Sequence, residues 1–210
     1  MKTFALLQAG LIAASVLLVN STVAQDKPAK KSKKAKPEAA APDEEAMMKK
    51  WMEVATPGPQ HKALEAFGGE WEVVSKWWMA PGAPPTESKG TSKVVSILGG
   101  RFVQETHSGE FMGKPLNGIG ITGYDNFKKK YVSFWIDDGG TGMYTSEGTA
   151  DAAGKKFTFE GRMDDPMTGE KDKPIKFIIN IVDKNKRAFE MHDMGKGEKS
   201  LCAEMTYTRK

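Results

Sequence analysis

Three histidines, His61, His107 and His192, are the first residues of this 210-residue chain to consider for catalysis or metal binding. They lie far apart in the sequence. None has a second His, a Cys or a carboxylate at the spacing of a zinc motif such as H-x-H or H-E-x-x-H. A stable zinc site needs several such ligands held together. The sequence therefore predicts no metal site.

The other reactive side chains also lack the partners that catalysis needs. Cys202 is the only cysteine, and nothing beside it indicates an activated thiol, so we interpret it as buried and inert. The run DDPMTG at residues 164–169 lacks the alternating carboxylates of a calcium loop and is typical of a turn. A pair on one face of a predicted strand, Glu190 and His192, is the single feature that would favour a hydrolase or isomerase. The sequence predicts no catalytic residue and favours a binding protein over an enzyme.

Short strands must position these side chains. After a helix predicted at residues 60–67, apolar residues recur with a period of two, and turn residues separate the segments. Strands are predicted at residues 70–79, 88–97, 101–110, 116–124, 130–137, 142–149, 155–163, 173–182, 187–193 and 199–208. Because the connections are short and not helical, the pattern predicts an all-β fold, a single antiparallel up-and-down β-barrel of about ten strands, in preference to a sandwich. Of the 22 glycines, 13 lie between Gly99 and Gly161, and glycines inside strands permit the bends of a small barrel.

The first predicted strand begins with Gly69-Glu70-Trp71, which resembles the Gly-x-Trp signature of calycin barrels, the group of lipocalins and fatty-acid-binding proteins. A bacterial family known as domain of unknown function fifteen seventy-nine is similar over longer stretches: ATPGPQHKALEAFGGEWEV, WMAPGAPPTESKGTS, ILGGRFVQE, FMGKPLNGIGITGYDNFKKKYVSFWID, MDDPMTGEK and MTYTRK. The resemblance covers residues 52–210. It implies a calycin-like barrel for the domain at residues 51–210 and carries no established activity, so it assigns no catalytic residue.

Strand parity indicates which side chains would face the lumen of such a barrel. We expect an inner face that mixes aromatic and hydrogen-bonding side chains, which suits a small apolar or amphipathic ligand. The candidate lumen residues are Trp77, Gln104, Thr106, Ser133, Trp135, His192 and Tyr207. The alternative is that these side chains pack against one another and leave no cavity.

No cofactor is identified in the sequence. A single histidine, His107 or His192, could ligate haem, as in one branch of small calycin-like barrels, and this is the less favoured option because neither residue has a visible partner. Among the tryptophans, we expect Trp71 to close one end of the barrel, Trp77 to face the lumen and Trp78 to face outward.

The first fifty residues differ from the rest. Residues 1–24 begin with Lys2, continue through an apolar run and end in small residues, as a secretory signal peptide does; an uncleaved anchor is the alternative. Residues 25–50 are rich in Lys, Ala and Pro, which is typical of a disordered linker. They carry 8 Lys against 5 Asp and Glu, whereas residues 51–210 carry 22 basic and 22 acidic residues. No nucleic-acid partner is therefore expected.

The leading hypothesis is an exported barrel, periplasmic or extracellular after cleavage of the signal, that binds a small apolar or amphipathic molecule in its lumen. The alternative is an envelope structural or interaction protein whose lysine-rich linker makes weak contacts with anionic surfaces and whose barrel has no ligand cavity. The oligomeric state is not predicted.

Overall fold

A computed structural model describes residues 43–80 and 82–210, and only the backbone of residues 198–199. The predicted signal at 1–24 and most of the predicted linker, residues 25–42, lie outside the described residues.

Two helices, α1 (Glu44–Ala55) and α2 (Pro59–Ala63), and a 3-10 helix (Leu64–Phe67) precede the strands. The strands are β1 Gly69–Trp77, β2 Thr86–Ile97, β3 Phe102–Phe111, β4 Lys114–Asp125, β5 Lys130–Asp137, β6 Tyr144–Ala150, β7 Lys156–Asp165, β8 Glu170–Asp183, β9 Lys186–Asp193 and β10 Leu201–Arg209. A second 3-10 helix, Met194–Lys199, joins β9 to β10. None of the helices within the described ranges has the length and apolar character needed to cross a membrane.

The ten strands form one closed antiparallel barrel, and each strand pairs with its neighbours in sequence. β1 and β10 close the ring, with Trp71 opposite Arg209 and Trp77 opposite Ala203. This confirms the predicted all-β barrel, its ten strands and the short helix before β1. Closure pairs every strand on both sides, so the barrel presents no free strand edge to another chain.

The barrel has two different ends because successive strands run in opposite directions. α2 and the first 3-10 helix lie where β1 begins, and we call this the helix end. We call the opposite end the mouth; there β1 leads into β2, and residues Met194–Lys199 connect β9 to β10. Leu64 and Phe67 of the 3-10 helix are 1% and 3% exposed, so this helix plugs the helix end.

The hydrophobic core fills the half of the barrel next to the helix end. Phe157 is central: Phe67 and Tyr131 both approach its ring edge-on, with centroids 4.9 and 5.0 Å away. Edge-on aromatic pairs add to the free energy gained by burying apolar area. The buried members of this core are Leu64, Phe67, Trp71, Val73, Val94, Val103, Tyr131, Phe157, Phe159 and Tyr207.

The Gly-x-Trp sequence at the start of β1 has a structural explanation. Trp71 is 1% exposed and its indole Nε1 donates to the carbonyl of Phe67, 3.0 Å away, so it fastens the 3-10 helix to the barrel. Arg209, at the end of β10, lies over the Trp71 ring at 4.3 Å. Gly69 has a φ of 125°, and any side chain there would collide with the Arg209 guanidinium. Glycine is therefore required at this position.

Helix α1 differs from the sequence prediction, which assigned residues 25–50 to a disordered linker. It begins after Asp43, whose carboxylate accepts from the amides of Glu45 and Ala46 and so caps the helix. Its other end is held by the barrel: the Asn126 amide donates to the carbonyls of Val54 and Thr56. Composition alone suggested disorder, but these local and tertiary contacts stabilise a helix from Glu44 onward.

Candidate functional site

The interior of the barrel changes character between its two ends. In the half next to the helix end, most inward side chains are buried in the core, and Tyr124, Ala150, Ile179 and Ile181 pack against it with part of their surface exposed. In the half next to the mouth, most inward side chains keep part of their surface exposed, which indicates that they enclose a space less tightly filled than the core. We call this space the lumen. Its partly exposed wall residues include Trp77, Ser88, Phe111, Trp135, Ser146, Phe177, Phe189, Met191 and Met205.

A charged pair forms the floor of the lumen, where it meets the core. Arg187 on β9 lies 3.3 Å from the Glu105 carboxylate on β3, and the Ser92 hydroxyl donates to the same oxygen at 2.6 Å. The Arg187 side chain is only 3% exposed. Its guanidinium lies over three rings, Tyr207 at 3.9 Å, Trp71 at 5.2 Å and Phe67 at 5.6 Å. Stacking on these rings partly compensates the arginine for lost hydration.

Two groups of the floor are polar, and one of them is incompletely paired. The Arg187 Nε is buried and finds no hydrogen-bond partner in the described part of the chain. Burial, and next the Glu105 charge, raise the pKa of Tyr207 well above its usual range, so its hydroxyl stays protonated. The floor thus combines a cation, a carboxylate and a phenol in a small volume. Such groups can orient the polar end of a molecule in the lumen.

His107 on β3 faces the lumen just above this floor. It is 6% exposed, and no hydrogen bond joins its ring to another residue that the structure describes, whereas His61 accepts one at Nδ1 and both nitrogens of His192 have partners. Burial lowers the pKa of His107; the Glu105 charge opposes this effect and Arg187 adds to it. A neutral imidazole can both donate and accept, so His107 offers either role to a bound molecule.

We expect His107 to titrate below its usual value of 6.5. Because the folded state favours the neutral ring, the unfolded chain binds the proton at higher pH. The stability contributed by neutral His107 is therefore present above pH 6.5 and is lost as pH falls through the folded-state pKa. An NMR titration of the ring protons measures that pKa, with His107→Asn assigning the signal. The same variant should lose less stability than wild type between neutral and mildly acidic pH; equal losses would contradict the assignment.

Glycines make one wall of the lumen flat enough for an indole. The Trp135 ring lies across Gly118 and Gly120 of β4, and a side chain at Gly118 would collide with it. A Cβ at Gly120 would lie 3.0 Å from the ring. The indole Nε1 donates to the Asp137 carboxylate at 2.8 Å, which fixes its orientation. Trp135 therefore lines the lumen with one rigid apolar face.

Aromatic and polar residues also surround the mouth. Trp77 and Phe111 meet edge-on, with ring centroids 4.9 Å apart. They border a cavity of about 160 Å³ between the ends of β1, β2 and β3. On the other side, Lys173 lies 2.9 Å from each of two carboxylates, Asp165 and Asp193, and the hydrogen bond to Asp193 is the main reason that its pKa is raised. This ion-pair cluster anchors the β7–β8 turn. The opposite side of the mouth, with its aromatic rings, is therefore the apolar entrance to the lumen.

The structure places four of the seven predicted lumen residues on the inner wall. Ser133 and Trp135 are inward on β5, Trp77 is inward on β1, and Tyr207 is part of the buried floor. Trp71 is buried, as expected from its place in the Gly-x-Trp sequence. Whether the inward residues contact a ligand remains a prediction.

The expected inward orientation is wrong for Gln104, Thr106 and His192. Their strands turn the opposite residues inward: Val103, Glu105 and His107 on β3, and Arg187, Phe189, Met191 and Asp193 on β9. Both faces of β3 contain polar side chains, so strand parity alone does not decide which face turns inward. A carboxylate in the interior is costly, and Arg187, distant in sequence, offsets that cost for Glu105. Glycines on the neighbouring strand leave room for the side chains of His107 and Trp135. Their positions in the sequence could have identified this wall of the lumen.

The remaining reactive groups lie outside the lumen. His192 lies on the outer surface, where its nitrogens bond Glu190 and Ser200 at 3.0 and 3.1 Å. The Glu190–His192 pair therefore cannot act on a molecule in the lumen. Of the two histidines considered for haem, only His107 faces that space.

The Cys202 thiol donates to the Met191 carbonyl at 3.2 Å, and burial raises its pKa, which favours the unreactive protonated form. In the described residues, no cluster of three or more His, Cys, Asp or Glu side chains is placed to hold a metal ion.

Comparison with known proteins gives a family and a fold. A family model described as "Protein of unknown function (DUF1579)" matches residues 56–209. No curated protein matches significantly in sequence. The crystal structure of Rv2717c from M. tuberculosis is similar with a TM-score of 0.54 at 15% identity, over 74% of this chain and 99% of that chain. EF1p2_mFAP2b bound to DFHBI aligns with a TM-score of 0.39 at 10% identity, over 72% of this chain and 99% of that chain.

Proposed function

Since the chain belongs to the DUF1579 family of proteins of unknown function, we propose that it binds a small amphipathic molecule in the lumen of its barrel. One observation carries this proposal: the fully buried apolar residues of the inner wall cluster next to the helix end, whereas large inward residues towards the mouth, such as Trp135 and Met191, are partly exposed. A barrel filled by its own side chains would be buried along its whole length. The lumen is therefore a cup with a closed floor.

The composition of the cup indicates the chemistry of the ligand. Phe177 and Phe189 stack with centroids 5.7 Å apart, and Met191 and Met205 lie on the same side of the wall. Together with Trp135 they offer aromatic and thioether surface, and each Å² of apolar area they cover on a ligand contributes about 25 cal/mol. Thioether side chains adapt to ligands of different shape. The apolar part of the molecule would occupy this wall.

The polar part of the ligand would point to the floor. The imidazole of His107 faces this region, and the buried Arg187 Nε has no hydrogen-bond partner within the described ranges. The Arg187–Glu105 pair cancels its own charge, so the floor favours a neutral hydrogen-bonding group over a strongly charged one. We infer a neutral or weakly polar head group, such as a hydroxyl, carbonyl or amide.

Binding of prodan, a neutral amphipathic naphthalene fluorophore, tests the proposal. We expect saturable binding, seen as a blue shift of prodan emission and quenching of tryptophan emission. Ser146 is a partly exposed inner residue of β6, and Thr145 beside it is exposed on the outer surface. Ser146→Phe should fill the lumen and weaken prodan binding at least about tenfold, or about 1.4 kcal/mol. Thr145→Phe, the matched control, should bind as wild type.

Two results would contradict lumen binding. One is unchanged prodan affinity in Ser146→Phe when near-ultraviolet circular dichroism shows native tertiary structure. The other is an equal loss of affinity in both variants. If Ser146→Phe does not fold, prodan titration of Trp135→Phe replaces it, and retention of the full tryptophan quenching there would count against the lumen.

Export is also part of the proposal, supported by the signal-like residues 1–24. Lys2, the apolar run after it and the small residues that end at Ala24 favour cleavage before Gln25. Mass spectrometry of the protein isolated from cells should find a mature chain that begins at Gln25. A cytoplasmic chain that retains residues 1–24 would contradict export.

A further inference from the structure

Helix α1 exposes all of its large apolar side chains. Met47, Met48, Trp51 and Met52 are 50–60% exposed and Val54 is 42% exposed, and no residue of α1 is buried. A helix that packed on the barrel would bury one face. Two turns of the barrel also carry exposed apolar residues, Leu98 at 69% and Phe127 at 83%. Exposed apolar groups of this size on one region indicate an interaction surface.

The helix and the two turns belong to one surface at the helix end. Asn126, next to Phe127, donates to the carbonyls of Val54 and Thr56 at 3.0 and 2.8 Å. Arg101 donates to the carbonyls of Ala55 and Leu98 at 2.7 and 3.1 Å. The three bonds to Val54, Ala55 and Thr56 fix the end of α1 between the two turns, and the fourth holds Arg101 to its own turn. We call this surface the docking face, and its members are Met47, Met48, Trp51, Met52, Val54, Leu98 and Phe127.

The sequence of α1 separates apolar from polar residues around the helix. At 3.6 residues per turn, Met47, Met48, Trp51 and Met52 fall on one side together with Glu44 of the first turn, while Lys49, Lys50 and Glu53 fall on the other. A short helix with Trp and Met on one side and charged residues on the other is typical of segments that lie in the plane of a membrane interface. Tryptophan is itself enriched at that depth.

Basic residues surround the docking face. Phe127 at the tip of its turn is followed directly by Lys128, Lys129 and Lys130, and α1 contains Lys49 and Lys50. Lys128 and Lys130 both pair with Glu147, which balances one of these charges. Upstream in the sequence, residues 26–36 hold six lysines and one acidic residue, Asp26. Each lysine near an anionic lipid surface adds about 1 kcal/mol. Acidic residues at the start of α1 oppose this, yet residues 25–50 as a whole keep 8 Lys against 5 acidic residues.

We propose that the docking face binds the surface of an anionic phospholipid bilayer, with α1 lying in the headgroup region and Phe127 inserted between acyl chains. An aromatic residue at a protruding tip followed by three lysines suits a flat bilayer, because the ring can enter the lipid while the ammonium groups stay among phosphates. This arrangement leaves the mouth directed away from the lipid. The inference is independent of lumen binding.

Vesicle sedimentation tests the inference with the chain that begins at Gln25, which retains every described element. We expect it to bind vesicles of phosphatidylcholine and phosphatidylglycerol in equal parts at least about tenfold more strongly than vesicles of phosphatidylcholine alone, since several lysines contribute. Trp51→Ser combined with Phe127→Ser should weaken binding at least about tenfold, because two exposed aromatic rings no longer enter the lipid. The emission of Trp51 should shift to the blue on binding, and this shift should be absent in Trp51→Phe.

Exposed apolar residues at the mouth provide the matched control. Met143 and Met167 are 62% and 64% exposed, and Met143→Ser combined with Met167→Ser should bind vesicles as wild type does. Equal losses in the two double variants would overturn the proposal, as would equal binding to both vesicle types. So would a dimer in light scattering that requires Trp51 and Phe127 in the absence of vesicle binding, since the face would then bind a second copy of the chain. Ser146→Phe should bind vesicles normally, which separates this inference from the proposed function.

Discussion

Replacing Arg187 with methionine is expected to lower the free energy of unfolding by about 3–5 kcal/mol. Arg187 is 3% exposed and lies 3.3 Å from Glu105, whose carboxylate is directed into the barrel. Methionine fills a similar volume but leaves that charge without a partner. The substitution also removes the guanidinium from the faces of Tyr207 and Trp71. Urea denaturation followed by tryptophan fluorescence measures the change.

Two controls identify the cause of this loss. Lys186→Met changes an exposed residue next to Arg187 and should alter stability by no more than about 0.5 kcal/mol. Combining Arg187→Met with Glu105→Leu removes both charges, and this double variant should be clearly more stable than Arg187→Met alone. If the double variant were as unstable as the sum of its single changes, packing on the rings rather than the charge would explain the role of Arg187.

The Arg187–Glu105 pair is informative because it contributes little to net stability. Two ions in a barrel interior lose hydration, and their attraction roughly offsets that loss. An apolar pair of similar volume would fill the same space. The floor nevertheless contains these ions, the Ser92 hydroxyl and a protonated tyrosine, all at the depth where the lumen begins. This placement supports a role in orienting the polar end of a ligand.

Local sequence patterns were sufficient to predict the fold. Alternation with a period of two and turns rich in glycine depend on neighbouring residues only, so the ten strands and their order were predictable. The Gly-x-Trp sequence at Gly69 also identified the strand that contacts the helix end. Its partner Arg209 lies at the far end of the chain, and no local pattern could have revealed that contact.

The candidate site was only partly predictable because a distant residue decides which face of β3 turns inward. On β3 both faces contain polar side chains, so parity could not decide whether Gln104 or Glu105 faces inward. The decision depends on Arg187, 82 residues further along the chain. His107 was considered as a lone haem ligand, but its position above the floor depends on the same choice of face.

Helix α1 was missed for a different reason. The many Lys, Ala and Pro residues before it dominate the composition of residues 25–50 and suggest disorder throughout. The amphipathic spacing from Met47 to Met52 and the capping Asp43 were both visible in the sequence. Because no residue of α1 is buried, the pattern of a segment that packs into a core does not reveal it.

Replacing Trp71 with alanine is expected to cost about 3–5 kcal/mol of unfolding free energy, whereas Trp77→Ala should cost much less. Both tryptophans are inward on β1, but they lie at opposite ends of the barrel. Trp71 is 1% exposed, packs beneath two arginines and holds the 3-10 helix through Phe67. Trp77 is partly exposed at the mouth, where its ring and that of Phe111 meet edge-on.

Thermal and urea denaturation of the two variants, together with prodan titration, separate a core tryptophan from a lumen tryptophan. Trp71→Ala should unfold at lower urea and, while folded, bind prodan with little change. Trp77→Ala should remain nearly as stable as wild type and bind prodan more weakly, because one apolar wall of the entrance is removed. Equal loss of stability in the two variants would contradict the division of the barrel into a packed half and an open half, since that division assigns structural burial to Trp71 alone.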